Sequence, residues 1–102
     1  MVKVVWTERS LIDLEDIAEF ISKDSPKYSK ITIEKLLAEA QKIESNPFMG
    51  RIVPETGLKN IRELIKGNYR IIYHIDKQKA EILTIHHSAR DLKKRGFLPN
   101  VK

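Results

Sequence analysis

The sequence predicts an α+β domain of order β-α-α-β-β-β-α, an antiparallel sheet with an N-terminal helix hairpin on one face. Three observations carry this. Two apolar stripes at three- and four-residue steps occupy the first half of the chain, and three runs with a period of two occupy the second. Tight joints separate the members of each group. Elements grouped by type in this way make an α+β layer structure rather than alternating βαβ units.

Val2–Trp6 is β-branched and aromatic and suits a short strand, which joins the later strands because a lone strand cannot satisfy its backbone groups. Thr7 is placed to cap a helix over about Glu8–Lys23, whose apolar stripe is Leu11, Leu14, Ile17, Ala18 and Ile21. Asp13, Asp16 and Glu19 fall mostly off that stripe and are expected to face water. Asp24-Ser25-Pro26 breaks the helix, and Pro26 suits the first turn of a second one over about Pro26–Ser45. The second stripe is Ile33, Leu36, Leu37, Ala40 and Ile43, stopped by Asn46-Pro47. The segment 46–60 holds two Pro and two Gly and reads as a loop with one short strand near Arg51–Val53. Ile61–Ile65, Tyr69–Ile75 and Ala80–His87 then form a meander through the loops Lys66-Gly67-Asn68 and Asp76–Lys79. Ser88 is placed to cap a last short helix that Gly96 and Pro99 end.

The 102 residues fit a single domain, 1–102, able to bury a core without disulfides, and no cysteine is present. No apolar run is long enough to span a membrane, and the first residues lack the features of a signal peptide. A cytoplasmic location is therefore expected. The formal charge of +5 is uneven. Residues 1–50 hold 7 Lys+Arg and 9 Asp+Glu, and residues 51–102 hold 12 and 5. The basic second half suits a polyanionic or acidic partner as well as a plain solvated surface.

Pairing Ile65 with Tyr69 and Ile75 with Ala80 puts Ile61, Ile65, Tyr69, Ile71, Tyr73, Ile75, Ile82 and Thr84 on the face that takes the helices. The other face then carries Arg62, Leu64, Arg70, Ile72, His74, Glu81, Leu83, Ile85 and His87, and a one-residue slip exchanges His86 for His87. Arg70, in mid-strand, needs a partner. That partner is either an acid, such as Glu81 or one from the helices, or a phosphate held by the guanidinium fork. A histidine beside it can serve as general acid or base. No metal-ligand pattern, Walker loop, dinucleotide fingerprint or nucleophile elbow is present, so no cofactor is expected.

Several phrases together resemble one family. Trp6-Thr7 with Asp13-Leu14-Glu15-Asp16-Ile17 and Ile21 is similar to the opening of the RelE/ParE toxins. Asn46-Pro47, Gly50-Arg51 and Pro54-Glu55 resemble the family's middle loop. Ile61-Arg62-Glu63-Leu64, Tyr69-Arg70-Ile71-Ile72-Tyr73 and Ile85-His86-His87-Ser88-Ala89-Arg90 resemble its strands and final turn.

The resemblance implies the toxin of a type II toxin–antitoxin system of the plasmid or chromosomal stabilisation kind. An acidic antitoxin protein would neutralise it, and operator DNA would be bound only through that antitoxin. Two activities are implied. ParE-like members inhibit DNA gyrase, and the phrases Ile61–Leu64 and Tyr69–Tyr73 read closer to them. RelE-like members cut mRNA on the ribosome, with Arg70 on the phosphate and His87, or His86, as acid or base. The lysine-rich cluster and C-terminal tyrosine of the best-known nuclease are missing. Candidate target- or nucleic-acid-binding residues are Arg51, Arg62, Arg70, Arg90, Lys93 and Lys94.

Overall fold

A computed structural model describes residues 1–88 of the chain. Its elements are β1 (Lys3–Trp6), α1 (Glu8–Ser22), α2 (Pro26–Gln41) with a 3-10 turn at Lys42–Glu44, β2 (Arg51–Ile52), β3 (Ile61–Lys66), β4 (Tyr69–Asp76) and β5 (Lys79–His87). The final helix expected after Ser88, and with it Arg90, Lys93 and Lys94, lies outside the described residues.

Local chemistry starts both helices where the sequence predicts. The Thr7 hydroxyl accepts from the Ser10 N–H at 3.2 Å and donates to the Ile82 carbonyl at 2.6 Å, so one side chain caps α1 and ties it to β5. Ser25 accepts from the Tyr28 N–H at 3.0 Å, and Pro26 occupies the first turn of α2. The hairpin is joined by Ser29, whose hydroxyl donates to the Ala18 carbonyl at 2.7 Å.

The sheet order is β1-β5-β4-β3-β2. The meander β3-β4-β5 is antiparallel as expected, while β1 enters parallel to β5, with Lys3 opposite Lys79 and Trp6 opposite Ile82. The parallel edge makes the sheet mixed. α1 lies over β5 and α2 over β3. Between helices and sheet sits the main core of Leu14, Leu36, Ala40, Ile43, Leu64, Ile71, Tyr73, Ile75, Ala80, Ile82 and Ile85. A smaller core of Val53, Ile61 and Ile72, flanked by Leu58 and Leu83, lies on the other face. There the connector between β2 and β3 folds back over the sheet.

Two features move residues between faces. The first hairpin closes with a two-residue turn, Gly67-Asn68, so Lys66 pairs with Tyr69 and Ile65 with Arg70. Gly67 takes φ +58°, which a first central position of a tight hairpin turn requires and which glycine adopts at no steric cost. This one-residue slip corrects the expected faces in β3. Leu64 enters the main core, Ile61 joins the smaller one, and Ile65 is left exposed on the far side. In β4-β5, Ile75 pairs with Ala80 as expected, but a bulge follows. Tyr73 pairs with Ile82 and Ile72 with Thr84, leaving Leu83 as the extra residue. Past the bulge Ile85 turns into the main core, correcting its expected place on the polar face.

The helix stripes are narrower than expected. Leu11 and Leu37 are 47% and 42% exposed. Asp13, expected to face water, is 5% exposed. Its carboxylate accepts from the Thr84 hydroxyl and from the Ile85 N–H at 3.2 Å. The carboxylate thus satisfies two donors of β5 beyond its last pairing with β1, that of Trp6 with Ile82.

Candidate functional site

Of the expected site residues, Arg70 and Arg51 share the sheet face away from the helices, whereas Arg62, paired with Tyr73, and His87, paired with Tyr69, fall on the other face, which corrects the expected grouping of Arg62 and His87 with Arg70. Arg70 is buried at the centre of the sheet. Its Nε donates to Glu63 Oε1 at 2.6 Å. Its Nη1 and Nη2 donate to the two oxygens of Glu55 at 2.9 and 2.7 Å, a bidentate fork. Glu63 also accepts from Arg51 through its second oxygen. Arg51, Glu63, Arg70 and Glu55 thus form a chain of alternating sign and zero net charge. The Glu55 hydrogen bonds, then those of Glu63, hold the guanidinium still more firmly protonated than usual, outweighing burial, which acts the other way.

The partners of Arg70 come from β3 and the connector between β2 and β3, not from Glu81 or the helices. Glu63 pairs with Ile72, two residues along β4 from Arg70, so the two side chains are diagonal neighbours on one face. In the sequence the slipped register hides this. Glu81 instead faces His74, at 3.5 Å, and Lys79, at 3.8 Å.

Arg62 serves a second cluster. Its Nε donates to the Lys59 carbonyl at 2.7 Å and its Nη1 to the Gly50 carbonyl at 3.1 Å, while its guanidinium lies 5.0 Å from the Phe48 ring centre. Beside it the buried Tyr73 hydroxyl donates to the Pro47 carbonyl at 2.7 Å and accepts from the Gly50 N–H at 3.1 Å. Burial pushes the Tyr73 phenol up from its ordinary value, more than the Gly50 hydrogen bond and the Arg62 charge lower it. A Cβ on Gly50 would come within 2.6 Å of the Glu63 carbonyl oxygen and 2.8 Å of the Tyr73 hydroxyl, so glycine is required for this approach. The segment 46–50 is thereby pinned to the sheet with Phe48 and Met49 outward.

The two histidines at the end of β5 part company. Arg70 pairs with His86, which is fully buried, while Tyr69 pairs with His87. His87 meets the Tyr69 ring edge-on at 5.5 Å and lines an open cleft of about 580 Å³ beside α1, with Asp16, Glu19 and Phe20. The expected grouping of Arg70 with His87 is therefore not formed, and the bulge is why. A second groove of about 360 Å³ runs between α2 and the β3-β4 turn, lined by Tyr28, Lys35, Lys66 and Tyr69 among others. No group of His, Asp and Glu among the described residues is arranged to hold a metal ion. None of the described helices is long and apolar enough to cross a membrane.

The chain thus sets a hairpin of helices on a five-stranded sheet, with a carboxylate-bound arginine in mid-strand. The model of the ParE toxin of type II toxin–antitoxin systems matches residues 4–92, and the chain belongs to this family. The chain is 33% identical over 91 residues to Toxin RelE2 of Caulobacter vibrioides, a match covering 88% of this chain and 99% of that protein. In fold it is similar to a chain of the chromosomal ParDE system of P. aeruginosa, with TM-score 0.71, 16% identity and coverage of 85% of this chain and 96% of that one. It is also similar to a chain of the RelBE2 toxin–antitoxin complex of Mycobacterium tuberculosis, with TM-score 0.53, 22% identity and coverage of 84% and 96%.

Proposed function

We propose that this type II toxin inhibits growth in the ParE-like manner, by binding DNA gyrase rather than by cutting RNA, until an acidic antitoxin neutralises it. One observation carries the choice between the two activities. RNA cleavage needs a cation free to hold the phosphate and an acid or base beside it. Here the Arg70 guanidinium is engaged by two carboxylates, and His87 lies across the bulge on the helix side. The family match supports the same reading.

The binding surface of this reading is the basic part of the second half. Arg51 and Arg70 are neutralised within the sheet, and Arg62 is bonded to backbone carbonyls. The excess positive charge therefore rests mainly on residues 89–102, which hold five Lys+Arg, among them Arg90, Lys93 and Lys94, against one acid. An acidic amphipathic segment of the antitoxin suits the groove between α2 and the β3-β4 turn, where Lys35 and Lys66 flank apolar walls. The work is cytoplasmic, where gyrase, ribosome and antitoxin all reside, and operator DNA is reached through the antitoxin.

The alternative is ribosome-dependent mRNA cleavage, with Arg70 on the phosphate and His86, its pairing partner on the same face, as acid or base. A supercoiling assay with gyrase, run beside a cell-free translation assay read by primer extension, separates the two. Blocked supercoiling with intact mRNA is expected. Cut mRNA with unaffected gyrase would overturn the proposal.

A further inference from the structure

Two hollows on the helix side adjoin each other. The cleft of about 580 Å³ beside α1 and the groove of about 360 Å³ beside α2 share Asn68 and Tyr69 as a common wall. Together they make one trough along the joined end of the helix hairpin, past the β3-β4 turn. Its lining includes Ile85 in one half and Leu36 in the other, with Phe20 and Tyr28, 70% and 59% exposed, at the two sides. Its charge is divided. The α1 half carries Asp16 and Glu19, and the α2 half carries Lys35 and Lys66. Lys66 lies 4.0 Å from Glu39, while Asp16, Glu19 and Lys35 make no ion pair among the described residues. Lys23 also lines the α1 half, but Asp13, Asp16 and Glu19 together leave that half negative on a chain of net charge +5.

We propose that the trough is one docking surface for a single amphipathic segment of the antitoxin whose charge is divided in the opposite sense. Its acidic residues lie over Lys35 and Lys66, its apolar middle lies over Tyr69, and a lysine or arginine enters between Asp16, Glu19 and the Phe20 ring. This rests on the proposed seat of the antitoxin beside α2 and extends it across Tyr69. An all-acidic segment cannot fill the trough. Continued past Asn68, its carboxylates would meet Asp16 and Glu19, and like charges set together at an interface are strongly unfavourable. A cation at that end gains two carboxylates and the face of an exposed aromatic ring. Phe20, Tyr28 and Tyr69 supply the aromatic area that anchors interfaces. Charge also fixes the direction of the segment, because a reversed one would put acid on acid and base on base. Asp16 and Glu19 thus determine specificity by rejecting partners that are acidic along their whole length. The chain's own residues 89–102, with five Lys+Arg against one acid, match the α1 half but oppose Lys35 and Lys66.

The test titrates the full chain with two synthetic amphipathic peptides of one apolar pattern, one with glutamates in one half and lysines in the other, the second with glutamates throughout. Wild type should bind the divided peptide at least about tenfold more tightly, with the Phe20, Lys66 and Tyr69 amides moving in 15N NMR. The double variant Asp16→Lys with Glu19→Lys changes two exposed side chains and should invert the preference. Lys35→Glu with Lys66→Glu should weaken both peptides. Equal binding of the two peptides by wild type, a preference that survives the acid reversal, or no binding of either would overturn the docking surface. So would an acid reversal that moves the amides of residues 89–102 in the free chain, since the chain's own tail would then be the occupant. The antitoxin's sequence is a second check, and a toxin-binding segment with acids on both sides of its apolar middle and no Lys or Arg would overturn the proposal. Failure of the gyrase reading shows in the supercoiling assay instead, so the two failures are distinct.

Discussion

Removing a single oxygen, in Tyr73→Phe, measures how firmly the segment 46–50 is held to the sheet. The ring stays in the main core, so almost no apolar burial is lost. What is lost is the donor to the Pro47 carbonyl and the acceptor for the Gly50 N–H. One intramolecular hydrogen bond contributes about 1 kcal/mol net, and a buried donor left without a partner costs about 1–3 kcal/mol. A loss of about 2–3 kcal/mol is expected, and at roughly 4–8 °C per kcal/mol for a domain of this size the melting temperature should fall by roughly 8–24 °C. Urea unfolding with an unchanged slope checks the free energy, and faster exchange of the Gly50 amide locates it. The phenol adds a pH signature. Its folded pKa is raised above the ordinary value of 10.0, so the unfolded chain ionises first. Its stabilising contribution is complete below pH 10 and is lost as the pH rises through the folded pKa. Tyr73→Phe should therefore lose less stability above pH 10 than wild type does. A loss below about 0.5 kcal/mol at neutral pH with the slope unchanged would refute the account, since that is the scale of an uninvolved surface change.

Asp13→Ala should cost about 2–4 kcal/mol in urea unfolding, because the buried Ile85 N–H and Thr84 hydroxyl both lose a charged acceptor. Thr7→Ala removes the α1 cap and the bond to the Ile82 carbonyl together, and should cost about 1–2 kcal/mol by the same measure. Gly50→Ala drives a methyl against the Glu63 backbone and should lower stability by about 1–3 kcal/mol, read as a drop in melting temperature. Arg62→Ala releases the Lys59 and Gly50 carbonyls from their shared donor, and hydrogen exchange should quicken in 47–60 while α1 is unaffected.

Element identity and order were readable because they depend on period and caps. Thr7, Ser25 and Pro26 act where their chemistry says they should, and the apolar stripes found both helices. Faces were harder, because with a period of two a single displaced pairing inverts a strand. Gly67 carried the clue to the first hairpin: a glycine followed by asparagine fits a two-residue turn better than the three-residue loop that takes in Lys66. The bulge at Leu83 has no comparable mark. The segment around it is ordinary β-forming sequence, and nothing in its residue types marks where the extra residue falls. The candidate site inherited both difficulties. Arg70 was found as an unusual mid-strand cation, yet Glu63 and Glu55 were passed over, one hidden by the slipped register and the other in a connector without a period. His86 and His87 could not be told apart before the bulge was known.

The parallel pairing of β1 with β5 also orders events in time. Lys3 lies against Lys79, Thr7 holds the Ile82 carbonyl and Asp13 holds the Ile85 N–H. Much of what anchors the first fifteen residues is thus made only after residues 79–85 have been synthesised. At synthesis rates of roughly 5–20 residues per second, the helix hairpin waits for seconds with its apolar stripe uncovered. The sheet closes only when the strand through residue 85 is available, and contacts this distant in sequence are slow to form. A chain stopped short of β5 has no partner for its first strand, so a truncated product should lack the folded surface on which toxicity depends.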